Sequence, residues 1–186
     1  MKFQLVVNME RLSPAEDMGD IERHTLEMVQ LADEAGFEIA WAAEHHAIEL
    51  QVAPNPFVML TWWAAHTKRI RLGTGVIVAP YWHPIRLAGE AALFDRYSGG
   101  RLEFGIGSGA YQREFDRMFT GLKQSDGWKY MQEMIPAYKA LSNGAYEHKG
   151  EFWQYPAAPP VPNQLQTPHP PVRTAARAPL PYPFPI

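Results

Sequence analysis

The sequence predicts an α/β protein in which parallel strands alternate with amphipathic helices. Four short runs are almost continuously apolar, as expected of strands that are buried on both faces of a parallel sheet. These runs are Phe3–Asn8, Glu38–Ala43, Ile70–Val78 and Leu102–Ile106. Longer stretches with helical spacing of apolar residues separate them, which is the order of right-handed βαβ units. A doubly wound sheet and a (β/α)8 TIM barrel both fit this pattern.

Three helices are predicted between these strands from the signals at their ends. The first is capped by Asp20 and ends at Gly36, a residue suited to the left-handed conformation that follows many helices. The second spans Asn55–His66, with Pro56 at the first helical position, where a backbone N–H is not needed. The third spans Pro84–Tyr97. These helices complete the alternation of strand and helix.

The second part of the chain follows a different pattern. Ser125–Asn143 is predicted to form one more helix, and a β-hairpin is predicted to turn at Lys149-Gly150. The chain beyond is rich in proline, which cannot donate a hydrogen bond to a helix or to a central strand. We therefore assign residues 1–155 to a partial barrel and residues 156–186 to a proline-rich segment. Within that segment, the stretch near 171–176 is predicted to form a short fifth strand.

The composition excludes several classes of function. The chain has 186 residues, a formal net charge of −3 and no cysteine. This charge balance provides no basic surface for nucleic acid or for an anionic membrane. The absence of cysteine excludes disulfides, thiolate metal sites and cysteine nucleophiles. No apolar run approaches the ~18 residues of a membrane span, and no signal peptide is recognisable, so we expect a cytoplasmic protein.

Ionisable side chains directly follow the second predicted strand. Glu44, His45 and His46 come after its apolar run, and in parallel α/β proteins the ligand site lies at this end of the strands. A histidine there can act as a general base, and a glutamate can orient it or stabilise its imidazolium form. The alternative is a helix cap or a solvent-exposed loop histidine. A metal site is disfavoured, because adjacent side chains diverge and because His66 and His83 do not complete a ligand set.

Glycine-rich turns follow the third and fourth predicted strands. Residues 105–109 read GIGSG and lie between a strand and a helix, where backbone N–H groups can approach a phosphate. The motif differs from the dinucleotide fingerprint GxGxxG, and a tight strand-to-helix turn explains it equally well. In LGTGV, residues 72–76, the glycines indicate a bulge or the close approach of a flat group, and Thr74 offers a hydroxyl. Tyr81-Trp82-His83 comes next and is suited to form the wall of a cavity.

The order of these motifs resembles that of the bacterial luciferase-like, flavin-dependent monooxygenase family. The motifs are AEHH, NP, LGTGV, HP, GR and GIGSG, and the resemblance covers about residues 1–178. Members of this family complete an eight-stranded TIM barrel. The resemblance therefore implies the first half of such a barrel, with four to five parallel strands, in a truncated chain.

The resemblance also implies a chemistry and a set of site residues. Family members bind reduced flavin, usually FMN and in some cases a deazaflavin, and use O2 to oxygenate a small organic substrate. A reductase supplies the reduced flavin. At the matching positions His45 would be the general base, with Glu44 beside it, and Gly75–Val76 would form a non-proline cis peptide under the flavin ring. The other implied cofactor-binding residues are Thr74, Gly107, Ser108, Gly109, Tyr111 and, near the phosphate, Arg177.

The resemblance implies a homodimer as well. Family members associate through the helices that follow the second and third strands, and here these helices carry surplus apolar residues. They are Met59, Leu60, Trp62, Trp63, Leu93 and Phe94. Two alternatives to an oxygenase stay open: a non-catalytic half-barrel remnant or partner subunit, and a metal-dependent barrel hydrolase. Because half a barrel leaves strand edges open, we expect this chain alone to be poorly soluble or oligomeric, to bind flavin weakly and to show no turnover.

Overall fold

The computed structural model describes residues 1–49 and 51–175 of the chain. Its strands, in chain order, are β1 (Gln4–Val7), β2 (Ile39–Ala42), β3 (Arg71–Thr74), β4 (Ile77–Val78), β5 (Leu102–Gly107), β6 (Tyr146–Lys149), β7 (Gln154–Ala158) and β8 (Val172–Thr174). Its α-helices are α1 (Met18–Glu34), α2 (Pro56–His66), α3 (Pro84–Tyr97), α4 (Gln112–Met118) and α5 (Gly127–Asn143). Short 3₁₀ turns cover Ala79–Tyr81 and Gln124–Asp126.

Parallel strands form the main sheet in the order β1-β2-β3-β5, and β8 pairs with β5. β3 and β4 are two pieces of the single strand predicted at Ile70–Val78, and both pair with β5. The Gly75–Val76 peptide bond between the two pieces is cis, as the resemblance implied. Val6 is the register partner of Trp41, and Trp41 is the register partner of Gly73, so the three residues form one row across the sheet. The α/β class and the four main strands are confirmed.

The core lies between one face of this sheet and the helices. Alternate residues of β3 and β5 reach this face and are fully buried: Leu72, Leu102, Phe104 and Ile106. Tyr138 of α5 stacks on Phe104, with ring centroids 4.0 Å apart. Burial of each large apolar side chain contributes about 1.5–3 kcal/mol, so the helices hold the sheet mainly through this face. The opposite face of the sheet is therefore available for a site.

The helix ends follow the sequence signals with one correction. The N-cap of α1 is Asp17 and not Asp20: the Asp17 Oδ1 accepts from the backbone N–H of Asp20 at 3.2 Å. Asp17 has the extended backbone that turns a carboxylate back towards the free N–H groups of the first turn. Asn55 caps α2 as expected, and Gly36 follows α1 with a φ of 77°. Among residues 1–49 and 51–175, no helix is both long and apolar enough to cross a bilayer.

The segment after α5 forms the hairpin predicted around Lys149-Gly150. α5 begins at Gly127, later than predicted, since a 3₁₀ turn precedes it, and β6 pairs with β7 in antiparallel orientation. The Glu133 carboxylate of α5 holds the turn of the hairpin by accepting from the N–H groups of residues 151–153. The His148 Nε2 lies 2.8 Å from the same carboxylate. Burial opposes the ionisation of Glu133, but the hydrogen bonds from His148 and from the turn outweigh it and lower the pKa.

The proline-rich segment is attached to the sheet and to α3. Its β8 is the short fifth strand predicted near 171–176, and it runs parallel to β5. Ahead of β8, Asp95 of α3 accepts from the backbone N–H groups of Leu165 and Gln166, at 2.8 and 2.9 Å. The Gln166 side chain donates both to Asp95 and to the carbonyl of Leu102. These bonds satisfy polar groups that no helix or sheet ladder pairs here.

The Glu133 carboxylate predicts a pH-dependent stability. Because folding lowers its pKa, its contribution is fully present above the ordinary value of 4.5 and is lost as the pH falls through the folded value. We expect Glu133→Gln to lower the free energy of unfolding by about 1–3 kcal/mol at neutral pH, and the difference from wild type to shrink at about pH 3.5. Urea denaturation at both pH values measures this. Glu147→Gln is the control, because Glu147 is half exposed and pairs only with Lys149 on the surface. A Glu133→Gln effect that does not change with pH would contradict the assignment.

Candidate functional site

Side chains from the loop after β2 and from α4 meet at the edge where the parallel strands end. Glu44, His45 and His46 follow β2, and Glu114 lies in the first turn of α4, after β5. Loops that follow parallel strands emerge on the same edge of a sheet, which brings these segments together. Glu44 and Glu114 are nearly inaccessible, at 3% and 2% exposure. The site thus combines two buried carboxylates with two histidines.

Glu44 is an anchor between β2 and the chain that follows β4. Its carboxylate accepts from the backbone N–H of Val78 at 2.7 Å and from the indole Nε1 of Trp82 at 2.9 Å. His46 Nε2 lies 2.7 Å from Glu44 Oε1. Burial raises the pKa of Glu44, against the opposing effect of these hydrogen bonds. Both oxygens of Glu44 are thus engaged by groups of the protein, and its catalytic role stays a prediction.

His45 is paired with Glu114, which sequence reasoning did not identify. His45 Nδ1 lies 3.3 Å from Glu114 Oε1, and the same oxygen accepts from the backbone N–H of His46 at 2.7 Å. Burial opposes the ionisation of Glu114, but the hydrogen bonds from His45 and from the His46 N–H lower its pKa. An ionised carboxylate only accepts, so the proton of a neutral His45 resides on Nδ1 and Nε2 keeps a free lone pair. This is the arrangement that a general base requires.

Two tyrosines stand beside the histidines. The Tyr111 ring lies 5.7 Å from the His45 ring, and Tyr81 meets the edge of His46 at 5.2 Å. The Tyr81 hydroxyl is buried and has no hydrogen-bond partner within the described part of the chain. Burial raises the Tyr81 pKa, and the charges of Glu114 and Glu44 add to this effect. Tyr81 therefore stays protonated and offers a donor close to both carboxylates.

The inner face of the sheet carries a pocket of about 260 Å³ next to the cis peptide. Its lining residues are Val6, Trp41, Thr74, Gly75, Val76, Gly105, Arg173, Thr174 and Ala175. The Thr74 hydroxyl donates its one hydrogen to the Gly105 carbonyl at 2.7 Å and accepts from the Gly105 N–H at 2.8 Å, so it has no hydrogen left to donate to a ligand. The role of Thr74 in cofactor binding stays a prediction.

The glycines of LGTGV make room for a side chain of the protein itself. A Cβ on Gly73 would lie 2.3 Å from the ring of Trp41, and a Cβ on Gly75 would lie 3.0 Å from the Trp41 Cβ. A Cβ on Gly105 would lie 1.9 Å from the Thr74 carbonyl oxygen. The sequence pattern indicated that a flat group approaches these glycines. At Gly73 that group is the indole of Trp41.

The GIGSG turn is compact. A Cβ on Gly107 would lie 2.7 Å from Val76, and Gly109 adopts a φ of 87° against the ring of Phe115. The Ser108 carbonyl packs against Gly127 at the start of α5, where a Cβ would lie 2.1 Å from it. Packing thus accounts for these glycines, and their role in cofactor binding stays a prediction. Arg177 lies outside the described residues.

The metal alternative finds no ligand set in this region. Nowhere in residues 1–49 and 51–175 do three His, Asp or Glu side chains form a group that could hold a metal ion. His45 and His46 diverge towards different carboxylates. His83 instead caps α3, where its Nδ1 accepts from the Ile85 N–H.

Sequence comparison identifies the family. The sequence profile of the luciferase-like monooxygenases matches residues 1–180. The chain belongs to this family. The oxygenase component of flavin-dependent trigonelline monooxygenase from Acinetobacter baylyi is 46% identical over 186 residues, which is 100% of this chain and 52% of that protein. The chain thus spans about half the length of the curated relatives it matches.

Solved structures support the same fold. Monooxygenase RslO1 from Streptomyces bottropensis matches with a TM-score of 0.88 and 29% identity, over 95% of this chain and 54% of that one. The oxygenating constituent of 3,6-diketocamphane monooxygenase from Pseudomonas putida, solved with FMN, gives a TM-score of 0.75 at 22% identity. That match covers 86% of this chain and 44% of the other. The coenzyme F420 dependent tetrahydromethanopterin reductase from Methanopyrus kandleri gives a TM-score of 0.72 at 22% identity, and the match covers 95% of this chain and 50% of that one. The sheet described here corresponds to the first half of a luciferase-like TIM barrel.

The contact between Thr74 and Gly105 predicts a strict requirement for glycine. Gly105→Ala would place a methyl group against a backbone oxygen that cannot move without breaking the β3–β5 pairing. We expect a loss of about 3 kcal/mol or more in the free energy of unfolding, or no folded protein. Gly144→Ala is the control, because a Cβ on Gly144 would meet no other atom within 4 Å and its backbone is extended, with φ 168°. A melting temperature of Gly105→Ala equal to that of wild type would contradict this prediction, because it would mean that β3 and β5 can move apart to admit the methyl group.

Proposed function

We propose that this chain carries the base and part of the cofactor site of the oxygenase component of a flavin-dependent monooxygenase. Membership of the family supports the reaction class. The observation that carries the proposal is the His45–Glu114 pair at the ends of the parallel strands, which leaves His45 Nε2 as a free acceptor. The alternative of a non-catalytic remnant or partner subunit offers no reason for an ionised, buried carboxylate directed at a histidine.

The residues around the pocket fit a flavin. Apolar side chains and the Gly75–Val76 backbone form a wall for a flat ring. Outside this lining, beside His46, the buried Tyr81 hydroxyl is a donor without an acceptor in the described part of the chain. The turn with Gly107, Ser108 and Gly109 would approach the ribityl side, and Tyr111 would close the site next to His45. FMN is our first candidate, because the relative at 46% identity is flavin-dependent, and a deazaflavin is the second. The bound reduced flavin would supply the activation of O2.

The protein's own contribution is proton transfer in a site with little water. His45 Nε2 would take a proton from the bound substrate, and the ionised Glu114 would stabilise the resulting imidazolium and hold its orientation. Glu44 would act through Trp82 and His46 by keeping the wall of the site in place. Because the Glu114 carboxylate is buried, its effect on His45 is stronger than at a solvated surface. His45 is the catalytic residue of this proposal, and the two glutamates are positioning residues.

The relative suggests a substrate class and a partner. Its name gives trigonelline, an N-methylated pyridine carboxylate, as the substrate of that protein, and describes it as an oxygenase component. For this chain we propose a small heteroaromatic acid as substrate and a separate reductase as the source of reduced flavin. The 46% identity across the whole of this chain supports both proposals.

Kinetics of His45 and Glu114 variants test the proposal in the oxygenase that contains this chain. We expect His45→Ala to lower kcat by roughly 10²–10⁴-fold with little change in flavin affinity. Glu114→Gln should lower kcat by roughly tenfold or more and alter the pH profile, and Glu114→Asp should restore part of the loss. His24→Gln is the control, since His24 is exposed on α1. Unchanged turnover of His45→Ala would remove His45 from the mechanism.

We also propose a homodimer through the outer faces of α2 and α3. The predicted set needs correction, because Leu60, Trp63 and Phe94 belong to the core, at 0%, 2% and 2% exposure. The large exposed apolar residues of these helices are Val58, Trp62, Ile85, Leu93 and Tyr97. Three of them, Val58, Leu93 and Tyr97, line a groove of about 270 Å³ between the two helices. Such a surface is suited to pack against its own copy about a twofold axis.

Charge on this groove should dissociate the dimer. The double variant Val58→Glu, Leu93→Glu places two like charges in the lining of this groove on each copy of the proposed interface. We expect sedimentation velocity at micromolar concentration to show a dimer for wild type and a monomer for this variant. Leu31→Glu is the control, because Leu31 is similarly exposed but lies on α1. A monomeric wild-type protein would contradict the dimer.

A further inference from the structure

The loop after β2 turns sharply at Ala47, directly after the two histidines. Ala47 has a φ of 53°, in the left-handed region that residues with a side chain rarely adopt. The next residue, Ile48, is buried at 7% exposure, so the chain beyond the turn is fixed. A backbone conformation of this kind persists only where the surrounding structure holds it, and such conformations cluster at functional sites. The contacts that hold Ala47 therefore bear on the position of His45.

The hydrogen bonds within the loop do not involve Ala47. The His45 N–H donates to the Ala53 carbonyl at 2.8 Å, and the Val52 N–H donates to the Met9 carbonyl at 3.1 Å. These bonds attach the returning half of the loop to its first half and to the chain after β1. The conformation of Ala47 thus depends on a contact from another element.

α4 supplies that contact through Arg117, whose Nη1 donates to the Ala47 carbonyl. Arg117 lies three residues after Glu114, and side chains at that spacing share one face of a helix. Glu114 contacts His45 Nδ1 and accepts from the His46 N–H. One face of α4 therefore holds three successive residues of the loop. Within the described part of the chain, the Arg117 side chain has no second hydrogen-bond or ion-pair partner.

We propose that Arg117 is a positioning residue for His45, because its bond to the Ala47 carbonyl holds the loop in the turned conformation that brings His45 to Glu114. This inference rests on the proposed function for the role of His45 as the base. It deepens that function by naming a group outside the site that keeps the base in place. Without the bond, Ala47 would relax towards a negative φ. Because Ile48 is buried, the displacement would fall on the histidine side of the turn.

A surface contact without influence on the base is the alternative, since Arg117 is exposed. The two cases differ in what the loss of the bond changes. A single exposed hydrogen bond contributes little to the stability of the fold. A small displacement of a catalytic group, by contrast, costs a large part of the rate. Arg117 as a positioning residue therefore predicts a loss of turnover with little change in melting temperature.

¹⁵N NMR of the oxygenase that contains this chain tests the positioning without flavin or substrate. With ¹⁵N-labelled histidine, the shifts of the two ring nitrogens distinguish the tautomers of a neutral histidine, and His45→Gln identifies the signals of His45. We expect the proton on Nδ1 in wild type, and in Arg117→Met a shift towards the tautomer mixture of a free imidazole. In the complete reaction, kcat should fall by roughly tenfold with little change in KM for the substrate. Arg23→Met is the matched control, because it removes the charge of another exposed arginine, on α1.

The conformation of Ala47 provides a second arm. A β-branched residue does not tolerate this φ, so Ala47→Val should reproduce the changes in tautomer and in kcat although Arg117 is present. Glycine adopts this φ without strain, so Ala47→Gly should restore most of the turnover of Arg117→Met. Because Ala47→Val retains Arg117, it reports on the same link even if Arg117→Met fails to fold.

The tautomer and the turnover together decide between the outcomes. An Nδ1 tautomer and a kcat that stay as in wild type in Arg117→Met and in Ala47→Val would overturn the proposal. A loss of turnover in Arg117→Met with the tautomer unchanged and no rescue by Ala47→Gly would also overturn it, because Arg117 would then act on a ligand. A changed tautomer with unchanged turnover would support the positioning by Arg117 and contradict the proposed role of His45 as the base.

Discussion

The buried carboxylate of Glu44 is the interaction on which the geometry of the candidate site depends. It joins three segments that are far apart in the sequence: the end of β2, the backbone of Val78 in β4, and Trp82 after the 3₁₀ turn. Burying a carboxylate is costly, and it persists only when each oxygen is hydrogen-bonded. Here three donors to the carboxylate, from Val78, Trp82 and His46, oppose that cost in part, and the pKa of Glu44 stays raised. Since β4 and Trp82 line one side of the site, their positions are fixed relative to His46.

The two adjacent histidines gain different partners from this arrangement. His46 turns towards Glu44, whereas His45 turns towards Glu114, as expected of neighbouring side chains in an extended segment. The Glu114 carboxylate also accepts from the His46 backbone N–H, so a single residue of α4 fixes both the backbone and the base. The pairing therefore leaves one histidine as part of the wall and one with a free nitrogen. That division of roles is why three ionisable residues stand together at the end of an apolar strand.

Local signals predicted the fold well, and long-range contacts limited the prediction of the site. Apolar runs, Asn55 and Gly36 placed strands and helix ends, because each is decided by neighbours in the sequence. The cap of α1 was misplaced, since Asp17 and Asp20 both fit a local rule and only the backbone conformation distinguishes them. Glu114 was missed because it is a carboxylate in an ordinary charged helix, and only the folding of α4 against the β2 loop brings it to His45.

The glycines of the inner face illustrate a further limit of sequence patterns. A glycine in a strand indicates that something approaches closely, but it does not say whether that group is a ligand or a side chain. At Gly73 the approaching group is Trp41, which is the register partner of that residue. The space at these glycines is filled by the protein itself: the indole of Trp41 covers Gly73, and the Thr74 carbonyl lies where a Cβ of Gly105 would be. The pocket that remains takes its character from the two large side chains that line it: the indole of Trp41 provides a flat apolar wall, and Arg173 provides the charge. Because the Cα of Arg173 is the register partner of Gly105 while its Nε donates to Glu103, the side chain extends towards the start of β5 and not towards the edge that carries His45.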